Sequence, residues 1–166
     1  DYVTNVDLEV QEFLRERLAA LTPGVQFMGE EQDNSCLDWS RPCWILDPVD
    51  GTTNLIHNFR HSAVSLALSE AGQILFGVVY NPYSGECFTA RRGQGAFCNG
   101  SPIRISSADR LEDSLLSVGT VPGRRELADT AFRQMRALYD RCQDVRRNGC
   151  ASLDLCWVAC GRLDGY

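Results

Sequence analysis

Histidine is nearly absent from this chain, with two among its 166 residues, His57 and His61. That scarcity limits what its eight cysteines can do. No two cysteines stand at C-x-x-C spacing, so neither a zinc knuckle nor a thioredoxin-type redox pair is written here. Cys43 before Trp44 and Cys156 before Trp157 lie in apolar runs, where cysteine behaves as a small hydrophobe. We expect the cysteines to be reduced and the protein to be cytoplasmic. Positive charge is also short: 16 Lys and Arg against 22 Asp and Glu leave a net charge of -6. That balance speaks against direct nucleic-acid or anionic-membrane binding. It does not exclude a phosphorylated substrate, because bound cations reverse the local field.

Other signatures are missing as well. No apolar run is long enough to span a bilayer. No basic n-region with an apolar h-region opens the chain, although it begins at Asp1 rather than Met and a preceding segment is expected. A G-x-S-x-G nucleophile elbow is absent, and Gly93–Gln94–Gly95 with Gly100 lacks dinucleotide-binding spacing. There are no internal repeats or low-complexity linkers.

What is present is a chain that is 44% apolar and 23% charged, enough for one domain or two closely packed halves. Thr4–Asn5–Val6–Asp7 predicts a capped helix burying Val6, Val10, Phe13, Leu14, Leu18 and Leu21, stopped at Thr22–Pro23–Gly24. Val25–Met28 and Trp44–Leu46 read as strands. Ser62 to Ile105 reads as an antiparallel meander: strands at Ala63–Leu68, Ile74–Tyr80, "CFTAR" and "PIRI", with a hairpin at Asn99–Gly100. Strands and helices then alternate: Leu115–Val118, a helix over Arg124–Tyr139, Asp144–Arg147, and "ASLDLCWVAC", capped by Gly161. "LDGY" reads as part of a strand.

Carboxylates stand where these strands end. Glu30 follows the Val25–Met28 strand, and Asp47 and Asp50 follow Trp44–Leu46 within "WILDPVDGTTN" (Trp44–Asn54). Turn chemistry alone accounts for Asp, Pro, Gly and Thr in such a loop. The "GEE" at a second strand end favours a metal site, because neighbouring strands would bring the three carboxylates together. Oxygen-only ligands suit Mg2+ working with substrate phosphate. Thr52–Thr53–Asn54 reads as the start of a short helix whose free N–H groups would hold an anion. Together these parts make a site for metal-assisted phosphoryl hydrolysis. Asp7 reads as a capping residue, His57 and His61 as surface or core-edge residues, and Arg146–Arg147 as a solvated face.

"GEE", "WILDPVDGTTN", "GVVYNP" (Gly77–Pro82), "ARRGQGAFCNG" (Ala90–Gly100) and "RRNGCASLDLCWVACGRLDGY" (Arg146–Tyr166) together resemble the inositol monophosphatase family, in particular its bacterial members. The likeness runs from "DYVTNVD" to Tyr166. It implies an α+β, α/β/α/β/α layered sandwich, incomplete at the C-terminus. Residues 1–166 would form one domain, with 1–107 carrying the metal site and 108–166 opening an α/β part. The implied activity is hydrolysis of a phosphate monoester, foremost myo-inositol monophosphate, with two or three Mg2+ ions and sensitivity to lithium. Glu30, Asp47 and the Val49 carbonyl would hold the first ion, and Asp47 and Asp50 the second. Gly51 and Thr52 would bind phosphate through backbone N–H groups, while Asp50 and Ala151 would touch the inositol ring. Asp7, hydrogen-bonded to Thr52, would act with Glu30 to orient and deprotonate an attacking water, with no phosphoenzyme.

The resemblance also implies a homodimer. Related enzymes of this fold act on fructose 1,6-bisphosphate, histidinol phosphate or 3′-phosphoadenosine 5′-phosphate. Some bacterial relatives serve the transcription or ribosome-assembly machinery instead, a role that would run here through a protein partner. The family pattern continues past "LDGY" with a glutamate and a Trp-Asp, and it has a lysine-bearing segment upstream of "DYVTNVD". The chain as it stands is therefore expected to be a weak catalyst. Leu55 replaces a common phenylalanine, and Cys150 replaces a small or hydroxyl residue near the sugar side.

Overall fold

Alternating apolar residues from Ala63 onward build the expected meander. The computed structural model describes residues 3–166. Its main sheet has seven strands in the order β1 (Gln26–Gly29), β2 (Cys43–Asp50), β3 (Ala63–Glu70), β4 (Gln73–Asn81), β5 (Glu86–Arg91), β6 (Gly95–Cys98) and β7 (Ser101–Pro102). β1 runs parallel to β2, and every later pair is antiparallel. Ala71–Gly72 and Asn99–Gly100 turn the hairpins with both residues at positive φ, the geometry that matches strand twist. "PIRI" contributes only Pro102 to a strand, so that predicted element is shorter than its β-branched composition implied.

Helix α1 (Asn5–Leu21) begins where the capping pattern places it, but it buries a different stripe. Phe13 and Leu21 are 57% and 77% exposed and Val6 is also exposed, whereas Asp7, Gln11 and Leu18 are buried. Residues 7, 11, 14 and 18 form one helical stripe. The apolar set 6, 10, 13 and 21 lies about 100° round from it. Polar anchoring decides which stripe docks. Gln11 lies against Gly29, where a Cβ would come within 2.2 Å of Gln11 Oε1, and that oxygen accepts the Glu31 N–H at 3.1 Å. Asp7 faces Thr52.

A second, two-stranded parallel sheet joins β8 (Leu115–Ser117) to β9 (Asp144–Arg146), with Gly165 bridging in parallel to Leu116. Between β8 and β9 the predicted helix starts later, as α3 (Ala128–Tyr139) after a 3-10 turn at Arg125–Leu127. α4 (Ala151–Ala159) follows β9, and Gly161 takes positive φ just past its end. Leu153 and Cys150 pack with Ala63 of β3 and Phe88 of β5, joined by Val79, Cys156, Trp157 and Cys160. This shared core seats α4 on the large sheet and so fixes the small sheet beside the end of β2. All eight cysteines carry free thiols.

Candidate active site

The loop that the sequence presents as lying beyond a strand is largely strand itself. β2 continues through Asp47, Pro48, Val49 and Asp50. Asp47 pairs with Ser65 and Asp50 with Ala63, so Pro48 and Val49 together face the single residue Val64. That is a β-bulge, and it solves a geometric problem. In a regular strand, residues three apart point to opposite faces. The extra residue restores the phase, because Ser65 and Ala63 are two apart on β3 and share a face. Pro48, with no N–H for the ladder, suits the bulge and is fully buried.

Parallel pairing of β1 with β2 sets Gly29 opposite Leu46, so Glu30 follows beside Asp47, its N–H donating to the Leu46 carbonyl at 3.2 Å. Burial, then the charges of Glu30 and Asp50, push the Asp47 carboxyl up to about 8. Only the Val49 N–H, at 3.0 Å from Oδ1, offsets that crowding. Asp50 turns toward α4: its Oδ2 accepts the Ser152 N–H at 2.5 Å and the Cys150 thiol at 3.4 Å. Burial and the Asp50 charge raise that thiol to about 12, so it remains a donor. Asp7, 2% exposed, accepts Thr4 N–H at 2.9 Å and the Thr4 hydroxyl. Its other oxygen lies 3.5 Å from the Thr52 hydroxyl, which donates more closely to the Val49 carbonyl, at 3.0 Å. Capping and the link to Thr52 therefore coexist in one carboxylate.

Gly51 occupies the left-handed region at φ 92° and leads into α2 (Thr52–Ile56). A Cβ there would lie 3.1 Å from the His61 carbonyl and 3.2 Å from that of Gly149, so both conformation and space require glycine. Buried Asn54 holds the same junction. Its Nδ2 donates to the His61 carbonyl at 2.7 Å and to the Asn148 carbonyl at 2.8 Å, tying α2 to the segment before α4. The sequence places Asn54 only at the start of α2, and its side-chain role is not legible there; the sequence signal of Asp154 is an acid inside an otherwise apolar helix. Asp154 is 1% exposed, and its oxygens accept Ser117 Oγ at 2.8 Å and Asn148 Nδ2 at 2.7 Å.

Between the two sheets lies a cavity of about 490 Å³. Glu30, Asp47, Val49, Asp50, Gly51, Thr52 and Ala151 all line it, so the structure gathers every predicted site residue except Asp7, which stands behind Thr52. His57 and His61 do not line it; His61 packs on Trp157 instead, with ring centroids 5.0 Å apart. Among the described residues, no three His, Cys, Asp or Glu side chains are arranged as a closed metal cluster. The donors nonetheless fit a hard cation: burial and the like charges of Glu30 and Asp50 drive the Asp47 carboxyl toward protonation, a condition that a bound cation relieves.

The model of the inositol monophosphatase family matches residues 1–166. This chain belongs to that family. An inositol-1-monophosphatase of Rhizobium meliloti is 38% identical over 166 residues, covering 100% of this chain and 62% of the relative. A Nus factor SuhB of Pasteurella multocida is 39% identical over 166 residues, again 100% of this chain and 62% of the relative. The solved inositol monophosphatase of Anabaena superposes with a TM-score of 0.91 at 35% identity, over 97% of this chain and 64% of that one. The chain thus spans less than two thirds of these relatives, and its fold is the α+β layered sandwich of the family. Among other solved members, one IMPase/NADP phosphatase is bound with D-inositol-1-phosphate, another is complexed with NADP and Ca2+, and a staphylococcal one was soaked in LiCl.

Proposed function

We propose that the complete protein hydrolyses a phosphate monoester, foremost myo-inositol monophosphate, with Mg2+ as cofactor. The single observation that carries this reading is the bulge that turns Asp47 and Asp50 to one face, beside Glu30 and the glycine turn before α2. Family membership and the inositol-phosphate complex of a relative support the substrate class. Glu30, Asp47 and the Val49 carbonyl would hold one cation, and Asp47 with Asp50 a second. When bound, Mg2+ supplies Lewis acidity toward phosphate and lowers the pKa of water. The protein's own groups do the rest. Gly51 and Thr52 N–H groups bind phosphate oxygens, and Glu30 and the Asp7–Thr52 pair orient the attacking water and take its proton. Ala151, at the start of α4, borders the ring. No thiol or imidazole serves as nucleophile: Cys150 is buried and held protonated, and His61 packs on Trp157.

The test is phosphate release from a panel of monoesters by the full encoded protein, with and without Mg2+. Release that ignores Mg2+, or a trapped covalent phosphoenzyme, would sink the reading. Lithium should inhibit, and the solution assembly should be a homodimer in the cytoplasm; among the described residues no helix is long and apolar enough to cross a membrane. A second reading is a regulatory role through a protein partner, favoured by the relatives named Nus factor SuhB. Partner capture that survives Asp47→Asn would support it over catalysis.

A further inference from the structure

Three carboxylates converge in the candidate site, yet they are not held alike. Asp47 and Asp50 belong to β2 and take their places from its ladder with β3. Glu30 stands one residue past the end of β1 and is exposed, so packing does not fix its side chain. Its direction follows from its φ and ψ, which are set by the two rigid peptide planes on either side of its Cα.

The plane before Glu30 is pinned twice. Its N–H donates to the Leu46 carbonyl at 3.2 Å, and its carbonyl, on Gly29, accepts Asn34 Nδ2 at 2.7 Å. The plane after Glu30 is pinned from a different element. Its N–H, on Glu31, donates to Gln11 Oε1 at 3.1 Å, and among the described residues that is the hydrogen bond this N–H makes. Gln11 is 7% exposed and lies on α1, one helical turn after Asp7. The approach is tight. A Cβ on Gly29 would stand 2.2 Å from Gln11 Oε1 and 2.5 Å from its Cδ, so the glycine of "GEE" makes room for the amide. A buried amide costs free energy unless it is bonded. Here its oxygen is spent on the backbone next to Glu30, while Asp7 on the same helical stripe reaches Thr52 across the site.

We propose that Gln11 is a positioning residue for the first cation site: by holding the Glu31 N–H it fixes the backbone of Glu30, and so the aim of the Glu30 carboxylate beside Asp47 and the Val49 carbonyl. This rests on the phosphatase reading and adds to it a residue that touches neither cation nor substrate. What counts at this position is the acceptor, not its charge.

The experiment titrates the full encoded protein with Mn2+, followed by electron paramagnetic resonance, and measures phosphate release from myo-inositol 1-phosphate over a range of Mg2+. Gln11→Met keeps the length of the side chain and removes the acceptor. We expect it to weaken Mn2+ binding by about threefold to tenfold, the worth of one hydrogen bond. The Mg2+ concentration for half-maximal release should rise in proportion, with kcat at saturating Mg2+ little changed. Gln11→Glu restores an acceptor and should bind Mn2+ as tightly as the unaltered protein, or more so. Leu18→Ala is the control, since it loosens the same buried stripe of α1 without reaching Glu30; it should lower stability and leave Mn2+ affinity where it was. Should Gln11→Met not fold, Gln11→Asn, whose amide is one methylene shorter, takes its place. Unchanged Mn2+ affinity in Gln11→Met, a Gln11→Glu as weak as Gln11→Met, or an equal loss in Leu18→Ala overturns the assignment and leaves the phosphatase reading intact. Protein that binds Mn2+ but releases no phosphate ends the phosphatase reading, and the affinity of Gln11→Met still decides the role of Gln11.

Discussion

Two parallel strand pairs, β1–β2 and β8–β9, meet at one cavity, and each brings its carboxyl-terminal ends to it. They use aspartate in opposite ways. On the large sheet, burial and then the charges of Glu30 and Asp50 raise Asp47 to about 8, with only the Val49 N–H to offset them. On the small sheet, Asp154 is almost wholly buried, but Ser117 and Asn148 satisfy both of its oxygens. Burial alone does not distinguish the two carboxylates; how far it is compensated does. Asp154 locks β8 to α4, whereas Asp47 has only the Val49 N–H against its crowding.

The comparison breaks first at Asp47. Asp47→Asn in the full protein should lower Mg2+-dependent phosphate release by on the order of 10³-fold, the upper range for one electrostatic group. Its metal-free stability at pH 8 should be retained or raised. An unfolded Asp47→Asn variant would instead make Asp47 structural, like Asp154.

Asp154→Ala tests the other wall. It strands the Ser117 hydroxyl and the Asn148 amide, and should cost about 2–4 kcal/mol in denaturant unfolding. A loss below about 0.5 kcal/mol would mean that Asp154 is not the lock.

Gly51→Ala probes the junction of the two walls. Left-handed backbone costs about 1–2 kcal/mol for alanine, and the His61 and Gly149 carbonyls crowd the new methyl. We expect about 2 kcal/mol of destabilisation, with a fall in phosphate release that exceeds what the fraction unfolded explains.

The smallest effect is a pH trend. The folded Asp47 titrates near 8 against an ordinary 3.8, so between those values the folded state holds a proton that the unfolded state has lost. That contribution is complete below about pH 4 and disappears as pH rises through about 8. Thermal melts without metal should therefore show an Asp47-dependent decline over this window, flattened in Asp47→Asn. The upward shift in Tm caused by Mg2+ should grow with pH, because cation and proton compete for one carboxylate. A Mg2+ shift that shrinks toward pH 8 would refute the linkage.

Much of this was legible beforehand. Hairpin residues at Ala71–Gly72 and Asn99–Gly100, and the capping pair Thr4 and Asp7, act within a few residues of themselves and could be read locally. Glu30, Asp47 and Asp50 were recognisable by their positions at strand ends. The buried stripe of α1 was misjudged, because apolar spacing does not say that Gln11 must reach Gly29 and Asp7 must reach Thr52. Arg147 reads as solvated and is exposed, but nothing near it in sequence announces its bond to Thr120. The side-chain roles of Asn54 and Asp154 are not legible for a related reason: their partners at Asn148, His61 and Ser117 lie on other elements.

Element types, turns and the side chains at the strand ends follow from the sequence alone, since propensity and periodicity are encoded over short spans. Only the tertiary structure decided that Asp47 and Asp50 share a face. Three residues of spacing would set them on opposite sides of a regular strand, and it is the register against Ser65 and Ala63, with the bulge at Pro48–Val49, that turns them together. Register belongs to the pairing of two strands and is carried by neither alone.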